Sequence, residues 1–163
     1  MSEEANEAPR DGVGRGFRVR ALGEIAIRCA DMDAMERFYG EVIGLEKLTE
    51  REGGITFFRI AEGYAGHTSV LALFATDATV RPGLHPTGGG APATGLGSSL
   101  HHLAFSLGWE EQAGVMAWYD SLGQAYRVEN FDWIGWRGVF TQDPEGNTVE
   151  LVAADPAFER RPA

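Results

Sequence analysis

Three residues able to do chemistry sit inside apolar runs. Glu150 lies between Val149 and Leu151 in TVEL, Glu24 lies in LGEIAI, and His102 precedes the strand-like LAF in LHHLAF. A carboxylate in an apolar strand needs a partner, either an arginine or a metal ion. Glu24 shares a strand face with Ala26 and Arg28, so an ion pair with Arg28 accounts for it as readily as a functional role. His102 equally suits a core histidine with satisfied nitrogens. By strand alternation His101 points to the face opposite His102 and stays outside the site. His85 is solvated in a Pro/Gly stretch, and His67, on the turn-like EGYAGHTSV, steadies that turn, lines a cavity or replaces a missing ligand. Arg28, Tyr64, His67, Trp133, Trp136 and Arg137 are the charged and aromatic tips with which a pocket could grip a substrate, packing being the alternative; Trp109 and Trp118 belong to the core. Cys29 is the single cysteine, which excludes an intrachain disulfide and a multi-thiolate zinc site, and it reads as a small buried hydrophobe.

The elements that must position these residues come in two similar sets. LGEIAIRC is a strand by its β-branched content. A helix follows, with Met35, Phe38, Tyr39, Val42 and Ile43 at helical spacing, Asp33 and Glu36 as a capping box, and Gly44 as the stop. Three short strands come next, around 45–51, 55–60 and 68–74. The second set opens on LHHLAFSL and continues through a helix with Val115, Trp118, Tyr119 and Leu122 on one face, which Gly123 ends. Strands near 124–130, 135–142 and 147–153 complete it, the last two joined by the tight turn DPEGN. Setting LGEIAI on LHHLAF places Glu24 on His102, and the same offset places Ala72 on Glu150. One shift fits both ends, so the chain carries an internal duplication.

The expected fold is therefore α+β, with two tandem βαβββ modules, 21–78 and 100–154, related by pseudo-twofold symmetry. Their curved sheets enclose a cavity, because each module alone leaves sheet edges and an apolar face uncovered. Residues 1–16 read as a flexible acidic arm, 17–155 as one domain, 79–99 as a connector rich in Pro and Gly, and 156–163 as a tail. A chain of 163 residues with 44% hydrophobic content suits one globular domain. The net charge of −10 repels phosphate backbones, so nucleic acid is not expected as a partner. No apolar run approaches a bilayer span, and the acidic start does not resemble a signal peptide. The expectation is a cytoplasmic protein without membrane contact that binds a small molecule.

The strings GEIAIRCADMDAMERFYGEVIGLEKL, HHLAF and DPEGNTVEL resemble the vicinal oxygen chelate superfamily, which includes glyoxalase I, extradiol dioxygenases and bleomycin-resistance proteins. The likeness covers roughly residues 20–153. It implies a divalent metal held by the first and last strands of each module, at the positions of Glu24, Ala72, His102 and Glu150. Glu24, His102 and Glu150 are then the ligands, an oxygen–nitrogen set suited to manganese, iron, nickel or zinc. Ala72 departs from the pattern: glyoxalase I has a carboxylate there, and extradiol dioxygenases have a histidine where Glu24 stands. Acid–base work falls to Glu24 and Glu150 as the catalytic pair. The resemblance implies a metal-dependent enzyme, an isomerase, epimerase, lyase or dioxygenase, acting on a small oxygenated substrate that chelates the ion. The alternative is a metal-free protein that sequesters a small molecule, as the bleomycin-resistance members do. A homodimer is expected, with a connector long enough for modules to pair within or between chains.

Overall fold

The structure is a computed structural model and describes residues 21–78, 93–98 and 100–158. The arm at 1–16 lies outside the described residues, as does most of the connector. The first module runs β1 (Glu24–Cys29), α1 (Met32–Arg37), β2 (Glu46–Lys47), β3 (Ile55–Tyr64) and β4 (His67–Ala75). The second runs β5 (Leu103–Ser106), α2 (Gln112–Leu122), β6 (Tyr126–Phe131), β7 (Trp136–Gln142) and β8 (Thr148–Ala154).

Each module forms one four-stranded mixed sheet, ordered β1-β4-β3-β2 in the first and β5-β8-β7-β6 in the second. The first and last strands of each module pair in parallel, an arrangement that needs a crossover, which the helix supplies. The duplication extends to register: Ala26 faces Ala72 and Ala104 faces Glu150, both residues of the second pair displaced by 78 from the first. The fold is thus α+β with two similar modules, and its sheets curve without closing.

α1 begins two residues earlier than the expected capping box at Asp33 and Glu36. Asp31 is the N-cap, its carboxylate accepting from Ala34 N at 3.0 Å. Glu36 turns instead to Thr56, Arg51 and Lys47, which draw it away from the helix terminus. The helix continues as a π turn over Phe38–Val42, closed by Ile43 N donating to Phe38 O at 2.9 Å. In β3 the structure also differs from the expected turn at EGYAG. The strand runs through bulges to Tyr64, and Gly63 adopts φ +75 where a Cβ would strike the His67 carbonyl.

One hydrophobic core joins the modules. Met35, Phe38 and Tyr39 pack in a common cluster with Leu71, Tyr119 and Val149, and each such side chain taken fully from water contributes about 1.5–3 kcal/mol. In α2 the fully buried residues are Gln112 and Tyr119, whereas Trp118 and Leu122 remain nearly half exposed. The Trp118 indole N–H donates to Val42 O at 3.2 Å, so this residue meets the first module rather than entering the core. Cys29 is buried as expected, and desolvation together with the Glu145 and Asp143 charges pushes its thiol up to about 12. Such a thiol is inert.

Candidate functional site

The concave face of the second sheet bears a cavity of about 950 Å³. Strand alternation and register build it row by row. One row crosses the sheet from Arg127 on β6 to Phe140 on β7, Glu150 on β8 and Ala104 on β5, each pair directly opposite. A neighbouring row sets Glu129 against Gly138, and the next sets Phe131 against Trp136. Trp133 and Ile134, on the turn between β6 and β7, extend the aromatic and aliphatic wall.

His102 and Glu150 come together in this cavity, with His102 Nε2 3.3 Å from Glu150 Oε2. Glu150 is buried, and burial raises its carboxyl above the usual range against the opposing pull of His102. Its position depends on the absence of a side chain at Gly138, where a Cβ would fall 2.3 Å from Glu150 Oε1 and 2.6 Å from the Phe140 ring. A deeper residue thus makes room for the carboxylate.

His101, expected on the opposite face, also lines the cavity. The reason is local: β5 begins at Leu103, so strand alternation does not govern residues 101 and 102. The rings meet edge to face, with the two Nδ1 atoms 2.7 Å apart, so one must donate and the other accept.

Glu24 is not brought to this cavity. It opens β1 in the first sheet, exposed, and forms no ion pair with Arg28. Among the described residues no three His, Cys, Asp or Glu side chains of one chain cluster closely enough to hold an ion. Arg28 is half-buried on β1, and Ala72 is buried. His67 is exposed at the start of β4 with its ring beside Gly23, away from the cavity, and Tyr64 ends β3 with its side chain outside the described part.

Trp136 lines the cavity, whereas Arg137 does not, because neighbours on a strand face opposite ways. The Arg137 guanidinium lies over the Trp109 ring at 4.0 Å and donates to Gln112 Oε1 at 2.6 Å. Gln112 in turn donates to the Arg137 and Leu151 carbonyls, so the cluster holds α2 against the sheet. The unforeseen cavity residues include Arg127, Glu129, Phe131 and Phe140. Their signal was spacing by two along each strand, Arg127, Glu129 and Phe131 on β6 and Trp136, Gly138 and Phe140 on β7, which puts all of them on the face that Trp136 occupies.

As two ligands for a metal the pair fits: donors on one first-row ion at about 2.1 Å each stand roughly 3 Å apart, close to the observed separation. Gly138 leaves the carboxylate free to take that position, and a neutral imidazole with a carboxylate suits a borderline divalent cation. A third donor has to come from elsewhere.

The sequence model described as "Glyoxalase/Bleomycin resistance protein/Dioxygenase superfamily" matches residues 21–151. Among solved structures, a lactoylglutathione lyase from Agrobacterium tumefaciens is 24% identical, with TM-score 0.59 over 84% of this chain and 96% of that one. A glyoxalase/dioxygenase from Nostoc punctiforme is 22% identical, with TM-score 0.60 over 90% of this chain and 99% of that one. A glyoxylase/bleomycin resistance protein/dioxygenase domain from Frankia sp. EAN1pec is 16% identical, with TM-score 0.62 over 86% and 96%. None of the curated proteins matches the chain. No described helix is long and apolar enough to cross a membrane.

Proposed function

Because the chain belongs to the glyoxalase/bleomycin resistance protein/dioxygenase superfamily, we propose that it is a metal-dependent enzyme acting on a small substrate with adjacent oxygens, its site shared between the subunits of a homodimer. The observation that carries this reading is the His102–Glu150 pair, facing a cavity at ligand-like separation. His102 and Glu150 of one chain, with Glu24 of the partner subunit, hold manganese, iron, nickel or zinc. The duplication leaves β1 and β5 at equivalent edges of their sheets, the edges that pairing of unlike modules across a dimer would bring together.

The metal, when bound, supplies Lewis-acid polarisation to the substrate oxygens. The chain's own residues do the rest. Glu150, lodged against Gly138, would hold or move a proton beside the substrate, and Glu24 is the other carboxylate that could share this work. Trp136 and Phe131 exclude water and orient an apolar body. The reaction class is that of an isomerase, epimerase, lyase or dioxygenase.

One observation favours a second reading, a metal-free binder of the bleomycin-resistance type: within one chain the described donors stop at two, while the cavity wall is largely aromatic. Metal analysis of untagged protein, after reconstitution with each ion in turn, tests the first reading. It expects about one first-row ion per cavity, as three protein donors and open positions support. No bound metal under any condition sinks it in favour of the binder.

A further inference from the structure

The cavity has a second polar end that the metal reading leaves unused. Arg127 and Glu150 flank Phe140 in one row across the sheet, so their backbones are two strand spacings, or about 10 Å, apart. The Arg127 guanidinium carbon stands 5.9 Å from the Phe140 ring centre, and the His102 ring centre is 6.3 Å from it. A cation and the His102–Glu150 pair thus look at one phenyl ring from different sides. Among the described residues lining the cavity, Arg127 is the only one with a permanent positive charge.

The tether on Arg127 is weak. Its Nη2 meets Glu129 Oε1 at 3.2 Å, and both side chains are well exposed. Exposed pairs of this kind contribute about 0–1 kcal/mol, so an incoming anion can replace Glu129 at little cost. The guanidinium also has five N–H donors in a planar fork, a match for a carboxylate that a single contact to Glu129 does not use up. A second hollow of about 530 Å³ shares Arg127, Phe140 and Thr148 with the main cavity, which leaves room around the guanidinium for a substituent.

We propose that Arg127 is an anion-reading residue: the cavity takes a planar, apolar ligand that carries a carboxylate at the Arg127 end, across Phe140 from His102 and Glu150. This deepens the reading of the cavity as the substrate site but does not depend on a metal. In a protein of net charge −10 the anion is attracted by this one local cation rather than by the surface at large. Glu129 then tunes the site by competing with the ligand for the same guanidinium.

The test uses EDTA-treated full-length protein and two probes of one shape, 2-naphthoate and 2-naphthamide, with dissociation constants from calorimetry. The wild type is expected to bind the carboxylate about tenfold more tightly than the amide, the size of one charge-assisted contact. Arg127→Gln brings the two affinities together, so that the ratio of carboxylate to amide binding falls to about one, and Glu129→Gln increases that ratio. Equal affinity for the two probes, no detectable binding of the carboxylate, or a preference that survives in Arg127→Gln overturns the proposal. Because metal is absent throughout, a failure here is separate from a failure to load metal, and either result can occur without the other.

Discussion

The hydroxyl of Tyr39, on the π turn of the first module, donates to Asp143 Oδ2 in the second at 2.9 Å. Asp143 is the first residue of the DPEGN turn and is itself held by the backbone N–H groups of Glu145 and Asn147 on Oδ1. Glu145 of the same turn accepts from Asp31 N at the start of α1. The turn that closes the second module therefore caps the helix of the first.

This contact predicts a difference between two buried tyrosines. Tyr39→Phe leaves the buried Asp143 short of a donor and should cost about 1–3 kcal/mol. The Tyr119 hydroxyl is also buried but has no hydrogen-bond partner among the described residues, so Tyr119→Phe should be neutral or stabilising. Urea denaturation of both variants checks this. Equal losses would show that the Tyr39–Asp143 bond does not fasten the modules.

A second prediction concerns acid. Burial pushes the Glu36 carboxyl up, but hydrogen bonds from Arg51, Thr56 and Lys47 outweigh it and lower the carboxyl from 4.5 to about 2. A carboxyl depressed by folding stabilises above its unfolded pKa and loses that contribution as pH falls through the folded one. The stability gap between wild type and Glu36→Gln should be full above pH 4.5 and close as pH approaches 2. Denaturation midpoints across that range measure it, and a gap independent of pH contradicts the assignment.

Gly138 gives the third prediction. In Gly138→Ala the new Cβ collides with the Glu150 carboxylate, the end of a flexible side chain that can swing away, so the protein should fold with a loss of about 1–3 kcal/mol. Metal uptake should fall sharply while the melting transition stays cooperative. Undiminished metal content in that variant would mean that Glu150 does not need the place Gly138 keeps open.

The parts of this site that were legible in the sequence are those fixed by alternation within one strand. Glu150 in its apolar run had to have a partner, and the single offset relating Glu24 to His102 and Ala72 to Glu150 reappears in the strand register. Alternation also forbids Trp136 and Arg137 from lining one cavity, a consequence missed because both were read as pocket tips. His101 was misplaced by extending strand parity beyond the end of β5. Arg127 and Glu129 were not singled out, and charged residues on an edge strand, as β6 is, ordinarily face water. The location of Glu24 relative to His102 is set by how modules pack, which no periodicity within a module encodes.

The central claim, a metal site completed by Glu24 of the partner subunit, is tested most directly by mixing two inactive variants. Glu24→Ala and His102→Ala homodimers each lack one donor at every site and should bind no metal. After unfolding and refolding together in equal amounts, half of the dimers pair unlike chains, and each of these regains one complete site of two, so the mixture should bind about a quarter of the wild-type metal. If all three donors came from one chain, every site in the mixture would still lack one of them. A refolded dimeric mixture that takes up no metal, when wild type treated identically does, would contradict the account.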